Sequence, residues 1–466
     1  MSNLVRFPTG ATVLDKHLDG GLPQGYVVNL RGEPGSGKTL LATQIALKNA
    51  QLGRKTLYVS FIEDKDKFVN AASTLLPGLK RHMDDHKIEY LELSSVIRGG
   101  VQPIMEMVLE KVESERPHLL VFDSYTAVLQ ALGSEAEGRS VLSNLFSRIF
   151  SKNSVTTLII TEGDQNDFVS YVADGIIRLS RKREAESPYR ELEILKMRSL
   201  QIGQSRFLYV FQKGKGVRVF NPFNGNLGLK INPRPPITEK EGFYSTGSRS
   251  LDRVVGGYPK GSLVLWEMGS NTPQLVHYSA VLASAANFLV QGRGVMILPS
   301  LEFELRDIKP FIYPDKNTFE GCARIFLDNL PPDQSLNSVV VPITGDGEKD
   351  LAKWEEVYQG FKKQGKPVLK VVSLDLLEHL YGGENAISML RRAYTSTAYN
   401  RDVTVMLAKP GLHVTEELKY MARVRLSLRF VDGYIIFRGI SPYTENYLYE
   451  PRFSMGYPEI HLYKIN

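Results

Sequence analysis

Apolar runs too short to span a membrane alternate along this chain with amphipathic stretches of helical period. Tyr26-Val27-Val28-Asn29-Leu30 is apolar and β-branched, the signature of a buried strand, and Leu40-Leu41-Ala42-Thr43-Gln44-Ile45-Ala46-Leu47 after it predicts a helix. The pattern predicts further strands at Thr56–Phe61, Ile88–Leu93, His118–Asp123 and Val155–Thr161. Helices are predicted over 65–76, ended by Pro77-Gly78, from Pro103 to about Glu115, and over 138–150. Strands near 175–180, 190–197 and 206–211 follow at hairpin spacing. A wound α/β half that finishes in antiparallel strands is expected, with a mostly parallel sheet flanked by helices.

The pattern is then written a second time. Thr9-Gly10 with Leu14-Asp15, Gly20-Gly21, Pro23 and Gly25 returns as Thr246-Gly247 with Leu251-Asp252, Gly256-Gly257, Pro259 and Gly261, half the chain later. Self-similarity at that period means tandem duplication of one domain. Domains of 1–232 and 233–466 are expected, joined near the stiff Asn232-Pro233-Arg234-Pro235-Pro236. Ser262–Trp266, Val295–Leu298, Leu369–Leu374 and Val403–Leu407 take the places of the first-half strands, and Asp432-Gly433-Tyr434-Ile435-Ile436 echoes Asp174-Gly175-Ile176-Ile177.

Composition narrows the class. At 466 residues and 42% hydrophobic, the chain can bury a core in each half. A single cysteine, Cys322, permits no internal disulfide, and no signal-peptide core opens the sequence, so a cytoplasmic protein with no membrane span is expected. The formal net charge of +6 permits an acidic partner without requiring one.

The chemistry concentrates at Gly32-Glu33-Pro34-Gly35-Ser36-Gly37-Lys38-Thr39, which fits G-x-x-x-x-G-K-[ST] between a strand and a helix that begins with Leu40. Glycines there let backbone N–H groups turn inward around phosphates, and the helix start adds unpaired donors. Lys38 is placed to reach the β- and γ-phosphates of ATP, and Thr39 to hold Mg2+. Asp123 ends an apolar strand at the carboxyl edge of the sheet, where an acid can hold the same Mg2+ beside Thr39. Glu63 ends the second strand, where a carboxylate can orient a water toward the γ-phosphate, with Asp64 weaker in that role. Lys196 and Arg198, two apart, share one face of a strand end.

The phosphate loop, the Thr-Gly…Leu-Asp…Gly-Gly-Leu-Pro-x-Gly lead-in, Phe122-Asp123-Ser124, Phe168–Ile176 and Leu192–Ser199 resemble the KaiC-like branch of RecA-type ATPases. The resemblance implies two tandem RecA-like P-loop domains and ATP at the interfaces of a homo-oligomeric ring, up to a hexamer. It makes Lys196 and Arg198 fingers that reach a neighbour's γ-phosphate. Such cations suit charge developing on a transferred phosphoryl group.

Departures from the family matter. Its paired glutamates are Ile62-Glu63 here, which bears on the rate of hydrolysis and not on binding. Where the loop should recur, the chain reads Glu267-Met268-Gly269-Ser270-Asn271-Thr272-Pro273-Gln274-Leu275, with no lysine after a glycine. Asp123 aligns with Val372, Asp375 lies nearby, and no Lys-x-Arg pair is evident. The expectation is a degenerate second domain without autokinase activity, and a first domain that hydrolyses ATP slowly in a regulatory role with a protein partner. Two alternatives stand: a RecA-paralogue-like DNA-binding ATPase and a non-hydrolysing ATP-binding scaffold. For the first, the basic cluster Arg178, Arg181, Lys182 and Arg183 reads better as a solvated turn than as a DNA arm.

Overall fold

The computed structural model describes residues 5–93, 101–132, 155–163, 168–184, 187–225, 235–303, 314–328, 338–452 and 459–465. Contacts divide the chain into two compact units, Met1–Pro222 with Ile465–Asn466, and Phe223–Lys464. The helix expected over 138–150 and part of the expected join at 232–236 lie outside the described residues.

In the first unit, β1 (Arg6–Phe7) and β2 (Leu22–Pro23) form a small antiparallel pair. The main sheet comprises β3 (Val27–Gly32), β4 (Thr56–Ser60), β5 (Ile88–Glu92), β6 (Leu119–Asp123), β7 (Thr156–Glu162), β8 (Gly175–Glu184), β9 (Ser187–Met197), β10 (Arg206–Gln212) and β11 (Gly216–Phe220). Its order is β11-β10-β9-β8-β3-β7-β6-β4-β5. Strands β3 to β8 run parallel to their neighbours, and β8 to β11 close the edge as antiparallel hairpins. The central strands are apolar on both faces because helices cover both. Helix Lys38–Gln51 packs Leu41, Ile45 and Ala46 against Val28, Leu30 and Val121 on one face. Helix Val101–Glu115 covers Leu57, Leu120 and Phe122 on the other.

The second unit repeats this plan. After the pair β12 (Phe243–Tyr244) and β13 (Tyr258–Pro259) come β14 (Ser262–Met268), β15 (Gly294–Leu298), β16 (Ala323–Leu327), β17 (Val340–Pro342), β18 (Val368–Ser373), β19 (Val403–Ala408), β20 (Val424–Val431), β21 (Tyr434–Ser441), β22 (Asn446–Arg452) and β23 (Glu459–Lys464). The order is β17-β16-β15-β18-β19-β14-β20-β21-β22-β23, the first sheet with one strand added at the parallel edge. Both halves therefore have the expected fold class, tandem α/β units with mixed, mostly parallel sheets.

The repeated Thr-Gly lead-in has a physical cause. Asp15 Oδ1 accepts from Thr9 N and Thr9 Oγ1 at 2.6 and 2.7 Å, and Asp252 Oδ1 accepts from Thr246 N and Thr246 Oγ1 at 2.8 and 2.7 Å. The carboxylate ties the turn before each first helix while Leu14 and Leu251 bury beside it. A third copy, which the sequence reading missed, lies at Thr344-Gly345 with Asp350.

Two expected alignments are corrected by the sheet registers. Asp432-Gly433 does not begin the counterpart of β8. Both residues have positive φ, 48° and 86°, and turn β20 into β21, as a two-residue hairpin requires. The counterpart of β8 is β20, where Arg423 N donates to Leu263 O as Asp174 N donates to Val27 O. Asp123 also does not match Val372. Val121 pairs through Leu158 to Val28, and Val371 pairs through Val405 to Val264, so Asp123 falls opposite Ser373. The slip by one residue moves a side chain to the other face of a strand.

Candidate functional site

β3 delivers the chain to Gly32 at the carboxyl edge of the first sheet, and helix Lys38–Gln51 leaves from it with Gly37 as its N-cap. The turn between needs glycine. Gly32 has φ 147°, and a Cβ there would sit 1.9 Å from Leu179 O; Gly37 has φ 97°, and a Cβ would sit 2.5 Å from the Phe211 ring. Lys38 folds back into the loop it belongs to, donating to Gly32 O at 2.8 Å and Glu33 O at 2.9 Å. Burial pushes its ammonium pKa down, and Glu162, Asp123 and Glu33 oppose that shift.

Asp123 is buried at the end of β6 and accepts from Tyr58 Oη at 2.7 Å. Burial raises its carboxyl pKa against hydrogen bonds from Tyr58 and Thr39. Thr39 Oγ1 and Asp123 are thus neighbours, as two groups sharing one Mg2+ must be. Glu63 follows β4. Its N–H donates to Ser60 Oγ and its carbonyl accepts from Tyr90 Oη, which fixes the backbone and leaves the carboxylate to the cavity. Asp64 caps helix Lys65–Ser73 through Lys67 N at 2.9 Å, so the neighbouring acid serves structure.

These groups line one cavity of about 340 Å³. Pro34, Gly35, Gly37, Lys38, Thr39 and Leu40 form one wall, Glu63 and Asp123 another, and Ile62, Glu162 and Phe211 complete it. The hydroxyl of Ser124, which lines this cavity, is buried without a partner, as is that of Ser36 within the loop. The loop and helix start on one wall, a buried lysine, adjacent Thr39 and Asp123, and the orphaned Ser124 hydroxyl fit a triphosphate with its magnesium.

Lys196 and Arg198 are elsewhere. Lys196 pairs with Ile176 at the amino end of β8 and donates to Ala173 O at 2.7 Å; Arg198 pairs with Asp174 at 2.8 Å. Gly175 lies opposite Val28, four residues before Gly32, so both cations are about 13 Å of strand from the loop of their own chain.

Sequence reading missed the support behind the loop. Arg181 and Arg190, facing each other across the β8–β9 hairpin, both donate to Gly35 O at 3.1 Å. Arg190 also stacks on Phe211 at 4.3 Å, and Tyr209 Oη donates to Ser36 O. Arg178 pairs with Glu193. Of the basic cluster read as a solvated turn, Arg178 and Arg181 therefore hold structure; the Arg183 side chain lies outside the described ones. The signal was available in the register: Arg181 and Arg190 sit directly opposite, at the height of the loop.

At the same edge of the second sheet the chemistry is inverted. Pro273, not a glycine, precedes helix Gln274–Leu289. Lys409 follows β19 where Glu162 ends β7, and pairs with Asp375 at 2.9 Å; Ser300 Oγ donates to Asp375 at 2.5 Å. His277, buried against Lys409, has its pKa pushed down to about 4.

The family model described as "ATPase: KaiC" matches residues 7–223. Protein GvpD1 of Halobacterium salinarum is 22% identical over 356 residues, 70% of this chain and 64% of that one. Circadian clock protein KaiC2 of Synechocystis is 24% identical over 280 residues, 56% of this chain and 47% of that one. Protein GvpD2 of Halobacterium salinarum is 20% identical over 458 residues, covering 90% of this chain and 89% of its own. The match thus spans under two thirds of GvpD1 and about half of KaiC2. The phosphate loop built and braced in this way lies within residues 7–223, the segment that the KaiC ATPase family model matches, so this part of the chain is KaiC-like.

Proposed function

We propose that the first unit binds ATP with Mg2+ and hydrolyses it slowly, and that the bound nucleotide governs assembly of the chain into a ring and its engagement of a protein partner. The observation that carries this reading is the convergence of Lys38, Thr39, Glu63 and Asp123 on one cavity behind the phosphate loop. In this reading Lys38 leaves the Gly32 and Glu33 carbonyls for the phosphates, exchanging two backbone acceptors for a stronger anionic one. Mg2+, when bound, supplies charge neutralisation on the phosphates, and Thr39 and Asp123 would hold it. Glu63 orients the attacking water and accepts its proton. A single carboxylate does this work, because Asp64 is engaged as a helix cap; slow turnover follows.

The relatives' names include a circadian clock protein, and a regulatory output suits a protein whose second unit has an ion pair, Lys409–Asp375, where phosphate chemistry would sit. We take that unit as degenerate for nucleotide. Lys196 and Arg198 act in this reading on the ATP of an adjacent subunit, which requires a ring or filament. Measuring ATP binding and turnover for the intact chain, Lys38→Ala and Glu63→Gln, each with and without DNA, tests the proposal. Binding lost in Lys38→Ala, with slow turnover indifferent to DNA and abolished in Glu63→Gln, is the expected pattern. DNA-stimulated turnover would replace it with a nucleic-acid motor, and binding without any turnover with a scaffold.

A further inference from the structure

The second unit keeps a cavity of about 60 Å³ on the sheet face opposite helix Gln274–Leu289, roofed by helices Gly347–Lys363 and Gly383–Tyr399. That is room for about four to six water-sized spheres. Its floor is strand side chains, Leu263, Leu298 and Val372 among them, and its half-buried mouth includes Leu351, Met389 and Tyr394. Among the polar groups of this lining, Asp350, Trp354 and Lys370 differ in what they still need.

Asp350 needs nothing. It accepts from Thr344 N, Thr344 Oγ1 and Gly345 N as the tie of the third Thr-Gly turn, and from Tyr381 Oη at 2.9 Å. It is neither a free base nor a cation ligand. Trp354 is different. Its ring packs on Phe326 at 4.4 Å, and its Nε1–H is buried without an acceptor. A buried donor with no partner costs the fold its desolvation, and natural proteins keep few of them. Lys370, fully buried on β18, is the third. Its Nζ donates to Ser396 Oγ and Thr397 Oγ1 at 3.1 Å each and lies 3.7 Å from the Tyr358 ring centroid. Asp402, the acid that attracts it, is already held by Tyr358 Oη, Lys362 and Val368 N. Burial pushes the Lys370 ammonium down to about 8. Tyr358 is one turn from Trp354, and Thr397 one turn from Ala393, so the ammonium stands at the end of the same cavity.

An apolar space with a donor left unsatisfied and a buried cation at one end is the arrangement of a small-molecule site. We propose that the second unit binds, between its sheet and helices Gly347–Lys363 and Gly383–Tyr399, a compact apolar molecule bearing a single oxygen acceptor, whose oxygen takes the Trp354 Nε1–H on the side of Lys370. The site uses none of the phosphate-loop machinery and does not depend on the nucleotide reading of the first unit.

Tetrahydrofuran and cyclopentane share a five-membered ring and differ by the oxygen, and their size of about five heavy atoms suits the space, which makes them the probes. Isothermal titration of the intact chain is expected to give one site per chain, with tetrahydrofuran binding at least about fivefold more tightly than cyclopentane. Trp354→Phe should keep the cavity and lose the preference, bringing the two probes within about twofold. Ala393→Phe should fill the space and abolish binding of both, and Met389→Trp provides a second filling variant should the first fail to fold, as judged by near-ultraviolet circular dichroism. No saturable binding to the intact chain, equal affinity for the two probes, or binding that survives a folded filling variant would each overturn the proposal.

Discussion

Arg190 donates to the carbonyl oxygen of Gly35 from behind the phosphate loop, at 3.1 Å, and Arg181 donates to the same oxygen at the same distance. The loop's inner face is the one that phosphates require; its outer carbonyls point away and would otherwise be solvated or orphaned. Two guanidiniums from one hairpin hold that outer face, and Arg190 is itself fixed by Phe211.

Arg190 is therefore expected to set nucleotide affinity without touching the nucleotide. A charge-assisted hydrogen bond is worth about 1.5–3 kcal/mol, so Arg190→Ala should weaken ATP binding about tenfold or more. Arg190→Lys, which keeps one donor and the charge but loses the fork, should recover part of it. Titration with a fluorescent ATP analogue reads the affinity, and the thermal midpoint of the ATP-free protein separates loop positioning from general destabilisation. If affinity stays within twofold of the unaltered chain, the brace does not shape the loop.

Asp123 carries an opposition between stability and function. Burial raises its pKa above the ordinary 3.8, so the native state holds the proton more tightly than the unfolded chain. Its stabilising contribution is complete below the unfolded value and is lost as pH rises through the native one. At neutral pH the buried carboxylate destabilises the ATP-free protein. Asp123→Asn should raise the ATP-free thermal midpoint at pH 7 by a few degrees, roughly 2–4 °C per kcal/mol for a domain of this size. That gain should shrink toward pH 4. The same variant should lose magnesium-dependent ATP binding, because a neutral amide cannot replace the charge. A lower midpoint at pH 7 would contradict this account.

Glu63→Gln is expected to leave ATP affinity within about twofold and reduce turnover about 10²-fold or more, the usual contribution of a positioned general base. Single-turnover phosphate release separates this from a binding defect. Asp64→Ala should change turnover little and instead lower the thermal midpoint, since it removes the cap of helix Lys65–Ser73.

Much of this was legible in the sequence because local rules were obeyed. β-branched strands, a glycine turn with a forced backbone and a lysine at a helix start each have a one-dimensional signature, and Gly32 to Leu40 fell where that signature required. What failed were relations set by sheet register. Ser373, not Val372, stands opposite Asp123's place, because loops of different length shift the count while the ladder keeps the face. Asp432-Gly433 imitates Asp174-Gly175 in letters and differs in backbone, since a hairpin turn and a strand start both tolerate Asp-Gly. Arg181 and Arg190, nine positions apart, become a pair only once β8 and β9 are laid side by side. The phosphate loop is continuous in sequence, and its brace is not.

Lys196 and Arg198 give the sharpest test of assembly. They lie at the amino end of β8, engaged with Ala173 O and Asp174, while the phosphate loop of the same chain opens at the carboxyl edge. No side chain spans that separation, so any catalytic effect of these cations must fall on another subunit's nucleotide. Arg198→Ala should then bind ATP normally and turn it over at least tenfold more slowly, as loss of a charge that stabilises the transition state demands. Lys38→Ala should fail at binding. Mixed in equal amounts and allowed to exchange subunits, the two inactive variants should regain turnover. A site works when an Arg198→Ala subunit contributes its intact loop and the adjacent Lys38→Ala subunit contributes its intact arginine. Random placement around a closed ring makes that pairing about one interface in four, and so predicts about a quarter of the unaltered activity. Activity that stays at the level of the separate variants after exchange, shown to be complete by a labelled subunit, would mean that Arg198 does not act across an interface.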